Sequence, residues 1–181
     1  MTTFARRFIG AAMLDAPTYE EVEADRSATP QALAVVLISS LAAGIGLKGA
    51  DGGVAAVAFF ATASIIGLLA WAAFALLALQ IGARLLPTAD TRVDAAQLLR
   101  TLGFAAAPGL IQIAGVLPGA KTPVFMVAGL WTLAASVVAV RQAADYTSTA
   151  RAAAVCALGW TLSLVAAAVL GLLFGPTLAG I

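Results

Sequence analysis

Residues 54–86 read VAAVAFFATASIIGLLAWAAFALLALQIGARLL, and the first charge in that run is Arg84. Wound as an α-helix at 1.5 Å per residue, the run is roughly 50 Å long, against a hydrocarbon core of ~30 Å. A soluble helix keeps one polar face, and this one has none. The run is read as a membrane span that tilts, or projects at its Gln80–Arg84 end.

The rest of the chain agrees. Its 181 residues are 62% hydrophobic and 10% charged, where a soluble domain is nearer half apolar and a quarter charged. With four more apolar runs the spans fall at about 30–47, 53–86, 101–117, 123–140 and 152–174. A β-barrel needs short alternating segments, and none is present. The expected fold is all-α, an integral membrane bundle of five transmembrane helices over residues 29–181, preceded by an N-terminal segment, residues 1–28. Thr29-Pro30 and Thr122-Pro123 have helix-start chemistry. The stretch KGADGG from Lys48 makes a turn, Pro87 stops the second span, and Thr91 with Asp94 is spaced as a cap in the polar connector. Gly171 and Gly175 have the spacing of close helix packing, as do many pairs in so alanine-rich a chain.

The N-terminal segment has two parts. In FARRFIGAAML, Phe4, Phe8, Ile9, Ala12 and Met13 share one helical face, with Arg6 and Arg7 off it. That pattern suits a short amphipathic helix in the membrane interface, with Phe4, Arg6, Arg7 and Phe8 meeting lipid. The apolar stretch is too short for a signal peptide, and the arginine pair lacks the apolar region of a twin-arginine signal. In DAPTYEEVEAD, Thr18 and Glu21 have capping-box spacing for a helix from about 19 to 26. Its Glu20, Glu21, Glu23 and Asp25 form a solvated acidic face, the alternative being a metal site or a docking surface for a partner.

Charge placement sets the topology. Arg6, Arg7, Arg26, Arg84, Arg92, Arg100, Arg141 and Arg151 fall on one side of the spans, and Lys48 and Lys121 on the other. By the positive-inside rule the N-terminus is cytoplasmic and the C-terminus periplasmic or extracellular. Net charge is only +1, which gives nucleic acid nothing to bind.

Chemistry is scarce inside the spans. No ionisable side chain lies deep in any of them, which argues against a proton-coupled pump. The chain has no histidine and a single cysteine, Cys156 in an apolar run, so no disulfide or cysteine metal cluster forms within it. The span serines have no histidine partner, and Lys48 and Lys121 lie in loops. No catalytic residue, metal site or cofactor is expected. The third span is the exception to blandness: in LLRTLGFAAAPGLIQIAGVLPG, Pro108 frees a carbonyl near residue 104, and Gln112 sits one turn on. Two readings follow. One is a kinked helix whose amide bonds a neighbour. The other is a cavity at a half-broken helix, lined by Gly103, Pro108, Gly109 and Gln112.

These stretches resemble bacterial members of the Yip family. DAPTYEEVEAD, TPQALAVV entering the first span, GFAAAPGLIQIAGVLPG in the third and LWTLAASVVAVRQA leaving the fourth carry the likeness, over roughly residues 13–175. The resemblance implies a five-span bundle with a cytoplasmic N-terminus. In eukaryotes it implies vesicle traffic, membrane shaping and recruitment of Ypt/Rab GTPases. The Gly-Pro pair of the eukaryotic N-terminal signature is not evident here, so fold transfers better than function. The expectation is a non-enzymatic scaffold or accessory protein of the bacterial inner membrane, in contact with the bilayer and with membrane protein partners or copies of itself. The alternatives are a small-molecule or lipid transporter using the Pro108/Gln112 cavity, and an accessory subunit of a larger complex.

Overall fold

The computed structural model describes residues 3–49, 54–85 and 94–178, with side chains described except at 54, 55, 85, 167, 168 and 170–178. The KGADGG turn beyond Gly49, the Pro87 stop and Thr91 lie outside the described residues, as does the packing around Gly171 and Gly175. Among the described residues seven α-helices occur in the order α1 (Thr3–Ala12), α2 (Ala16–Ala24), α3 (Thr29–Lys48), α4 (Val54–Gln80), α5 (Ala95–Phe104), α6 (Lys121–Ala143) and α7 (Thr149–Leu178). No strand occurs among the described residues. Five helical segments are long and apolar enough to cross a membrane, and large hydrophobics such as Ile65, Leu69, Leu130 and Leu164 stand exposed on them. This is a multi-pass helical membrane protein.

Two helix starts differ from the sequence reading. The cap of α2 is Asp15, three residues before Thr18; its carboxylate accepts from the Thr18 amide at 3.2 Å and the Thr18 hydroxyl at 2.6 Å. An Asp N-cap with proline in the first turn makes a complete helix start, and Glu21 is left for other partners. Thr29 lies inside α3, and its hydroxyl donates to the Arg26 carbonyl at 3.2 Å. The second span is α-helical to Gln80 and then widens into a π-turn over Ile81–Leu85.

The third span is broken rather than kinked. α5 stops at Phe104, and a 3₁₀ helix runs from Ala107 to Val116. Pro108 has no N–H to extend the α-ladder, and the Gly109 amide bonds the Ala106 carbonyl three residues back, at 2.9 Å. Ten residues of 3₁₀ helix is far beyond the usual three or four. The segment is held from outside, by α3.

Small residues bring those backbones together. A Cβ at Gly46 would strike the Gln112 carbonyl oxygen, and one at Gly103 would lie 2.7 Å from the Ala32 side chain. Such close approach is how helices associate where lipid removes the hydrophobic drive. At the same end, Gly49 takes φ +91° to close α3, a conformation that suits glycine. The Lys121 ammonium donates to the Leu47 carbonyl at 2.8 Å. Lys48 stands 5.4 Å from the centre of the Phe59 ring.

Candidate functional site

Two polar regions stand out. The first is the charge-rich end of the bundle. α1 and α2 form a hairpin, reversing at Leu14, which holds φ +62°. Inside it the Tyr19 hydroxyl donates to the Ala11 carbonyl at 3.0 Å. The Trp131 indole of α6 donates to the Ala12 carbonyl at 2.7 Å, which ties the hairpin tip to the middle of a span. Phe4 and Phe8 are half-buried against the protein core, their ring centres 6.1 Å apart. The large apolar residues exposed here are Ile9 on α1 and Met13 just beyond its end.

Charges fasten this hairpin. The Arg7 guanidinium is 5% exposed and lies 2.9 Å from the Glu21 carboxylate and 2.7 Å from Asp25. It also donates to the Gln31 amide oxygen of α3 at 3.3 Å. Arg6, exposed, pairs with the same Glu21 at 2.7 Å. The Ser27 hydroxyl and then Arg7 hold the Asp25 carboxyl down at about 2, and hydrogen bonding from Arg6 lowers that of Glu21. Arg100 of α5 is buried and donates to the Val22 and Glu23 carbonyls at 3.3 and 2.6 Å. Those carbonyls close the end of α2, where a cation also meets the negative helix pole.

The acidic face is thereby divided. Glu21 and Asp25 turn inward to the arginines, whereas Glu20 and Glu23 line an open recess of about 270 Å³ with Arg141, Gln142, Asp145 and Tyr146. The Gln142 amide donates to Glu20 at 2.8 Å. Burial, then the neighbouring Asp145 and Glu20 carboxylates, push the Glu23 carboxyl up to about 7 against the pull of Arg100. Among the described residues no three acids or cysteines stand close enough to hold a metal ion.

The second region lies between the spans. A cavity of about 210 Å³ is walled by α3, α4, α6 and the 3₁₀ helix. Its polar lining is Ser39, Ser40, Trp71, Gln112 and Thr132, each near the middle of its span. Ser39 is used: its hydroxyl donates to the Ala106 carbonyl at the break, 2.8 Å away. The carbonyl at the break is thus partnered by a hydroxyl from α3.

The expected cavity residues separate. Gly109 and Gln112 line the cavity; Gly103 is buried against Ala32, and Pro108 is buried in the core. Ser40, Trp71 and Thr132 were not legible as site residues, because serine and threonine abound in these spans. Trp71 carried the one usable signal: tryptophan favours the membrane interface, and Trp71 stands mid-span.

A five-span helical membrane protein with a fastened N-terminal hairpin is the class these features define. The Yip1 domain family model matches residues 11–170, and the chain belongs to the Yip family. No curated protein and no solved structure matches it.

Proposed function

We propose that this Yip-family protein is a non-enzymatic organiser of a bacterial inner membrane, gathering partner proteins at its N-terminal hairpin. The observation that carries this reading is the docked hairpin itself. Arg7 and Arg100 hold α1 and α2 rigidly to the spans, and Glu20, Glu23 and Asp145 are left facing the recess. The arginine bias of the sequence on this side of the spans supports a cytoplasmic position for it. An acidic recess of fixed shape selects a basic peptide segment and steers its approach.

The test is native-lipid extraction of full-length protein after cross-linking in cells, wild type against the Glu20→Lys/Asp145→Lys double variant. The expected result is a stoichiometric partner carrying a basic segment, lost in the double variant and kept in Arg84→Gln, a charge change elsewhere at the same end. Equal recovery of the same proteins by wild type and double variant would sink the docking role. A solute-handling role draws on the cavity between the spans.

A further inference from the structure

Hydroxyls inside membrane spans normally return to a backbone carbonyl, because hydrocarbon offers them nothing else. Thr62, Ser64, Ser136, Thr161 and Ser163 each do so, to the carbonyl four residues back, at 2.8–2.9 Å. Ser39 bonds the Ala106 carbonyl across to the third span. Among the described residues the side chains of Ser40, Gln112 and Thr132 make no hydrogen bond to protein, and all three line the one cavity. The Trp71 indole nitrogen, on the same wall, is buried without an acceptor. An unpaired buried polar group costs about 1–3 kcal/mol. Trp71 is such a group, and the partly exposed Ser40, Gln112 and Thr132 converge with it on one cavity, an arrangement that an occupant completes.

The lining dictates the chemistry of that occupant. No charged side chain touches the cavity, so an ion there would lose its water with nothing to replace it. An acyl chain would leave all four polar groups unpaired. The indole offers only a donor, whereas the amide and the two hydroxyls both donate and accept. The occupant therefore needs an acceptor for Trp71 and further groups of both kinds. A volume of about 210 Å³ falls below the ~300 Å³ at which drug-sized sites begin. We infer that the cavity among Ser40, Trp71, Gln112 and Thr132 is a binding site for a small uncharged polyol.

Full-length protein in lipid nanodiscs, with 5-fluorotryptophan at its three tryptophans, reads this directly. Trp→Phe variants assign the ¹⁹F resonances. Glycerol is the probe, with choline as the charged control. The expected result is a saturable shift of the Trp71 resonance alone with glycerol, and none with choline. Gln112→Leu and Thr132→Val should each raise the midpoint about tenfold, the equivalent of ~1.4 kcal/mol, while the Trp131 and Trp160 resonances keep their wild-type positions and report an intact fold. A linear, unsaturating response, or midpoints unchanged in both variants, overturns the site. So does a Trp71 resonance that moves between H₂O and D₂O but ignores glycerol; that outcome makes the cavity a water pocket.

Discussion

At the charge-rich end, Arg7 meets two carboxylates within 2.9 Å and Arg100 meets two carbonyls within 3.3 Å. In the cavity between the spans, Ser40, Trp71, Gln112 and Thr132 meet no protein partner. The dielectric setting makes this difference informative. At the hairpin Arg7 and Arg100 are buried, where an unpaired charge would be costly, and both are paired. Hydrocarbon surrounds the spans, where an unpaired group is costly; yet that is where they gather. Pairing at the hairpin serves structure, and the lack of it in the cavity serves binding. If so, polar substitutions should cost stability at the hairpin and almost none in the cavity.

The largest effect is expected at Arg7. Arg7→Met keeps the length and packing of the side chain and removes the charge, leaving Asp25 without its cation and Glu21 with Arg6 alone. Breaking a buried pair costs about 3–5 kcal/mol. The carboxylates here are about a third exposed and recover some hydration, so about 2–3 kcal/mol is the expected loss. Hydrogen exchange in nanodiscs checks it: α1 and α2 amides should exchange far faster, and those of α3 and α6 should not. Protection of the hairpin at wild-type level would mean that Trp131 and Tyr19, not charge, hold it.

The second effect is a pH dependence at Glu23. Its carboxyl titrates near 7 in the folded protein against an ordinary 4.5, because burial and then Asp145 disfavour the charge. Between those values the folded protein keeps a proton that the unfolded chain releases. The raised group therefore leaves the hairpin tightest below about 4.5, and docking weakens as pH rises from there through about 7. Glu20, Asp145, Arg100 and Arg141 are the charges facing it or lining the same recess. Hairpin protection should fall from pH 6 to pH 8 in wild type and stay flat in Glu23→Gln. A wild type as flat as the variant removes Glu23 as the cause.

The same contrast separates what the sequence disclosed from what it hid. Five spans were legible because a long apolar run has one stable destination. The break at Pro108 was legible because proline lacks a donor, but the 3₁₀ run to Val116 was not. That run depends on Gly46 letting α3 close onto the Gln112 backbone, a contact between residues far apart in the chain. The hairpin defeated local reading in the same way. Arg7 and Glu21 looked like a lipid contact and a docking acid because nothing in their spacing says that one grips the other. Asp15 was overlooked as a cap because Thr18 matched a familiar pattern three residues too late. The cavity was half legible: Gln112 is conspicuous in an apolar run, while Thr132 and Ser40 resemble every other span hydroxyl until their missing bonds are seen.

The smallest effect carries the most weight, and it is a matched pair. Ser39 and Thr132 line the same cavity. Ser39 bonds the Ala106 carbonyl, and Thr132 makes no bond through its hydroxyl. Ser39→Ala should cost about 0.6–1.7 kcal/mol, the range for a hydrogen bond between spans. Thr132→Val keeps the shape and removes only the hydroxyl, so it should change stability by no more than about 0.5 kcal/mol, or raise it slightly, because a partly buried hydroxyl that bonds nothing in the protein has been removed. Thermal unfolding of the two variants in the same nanodiscs, free of added polyol, makes the comparison. A loss at Thr132 as large as that at Ser39 would mean that its hydroxyl holds the fold together, and the distinction between paired and unpaired groups would collapse at its most exacting point. A stable Thr132→Val protein that no longer responds to glycerol would mean the opposite: a hydroxyl placed in hydrocarbon, at a cost to the fold, for a ligand to find.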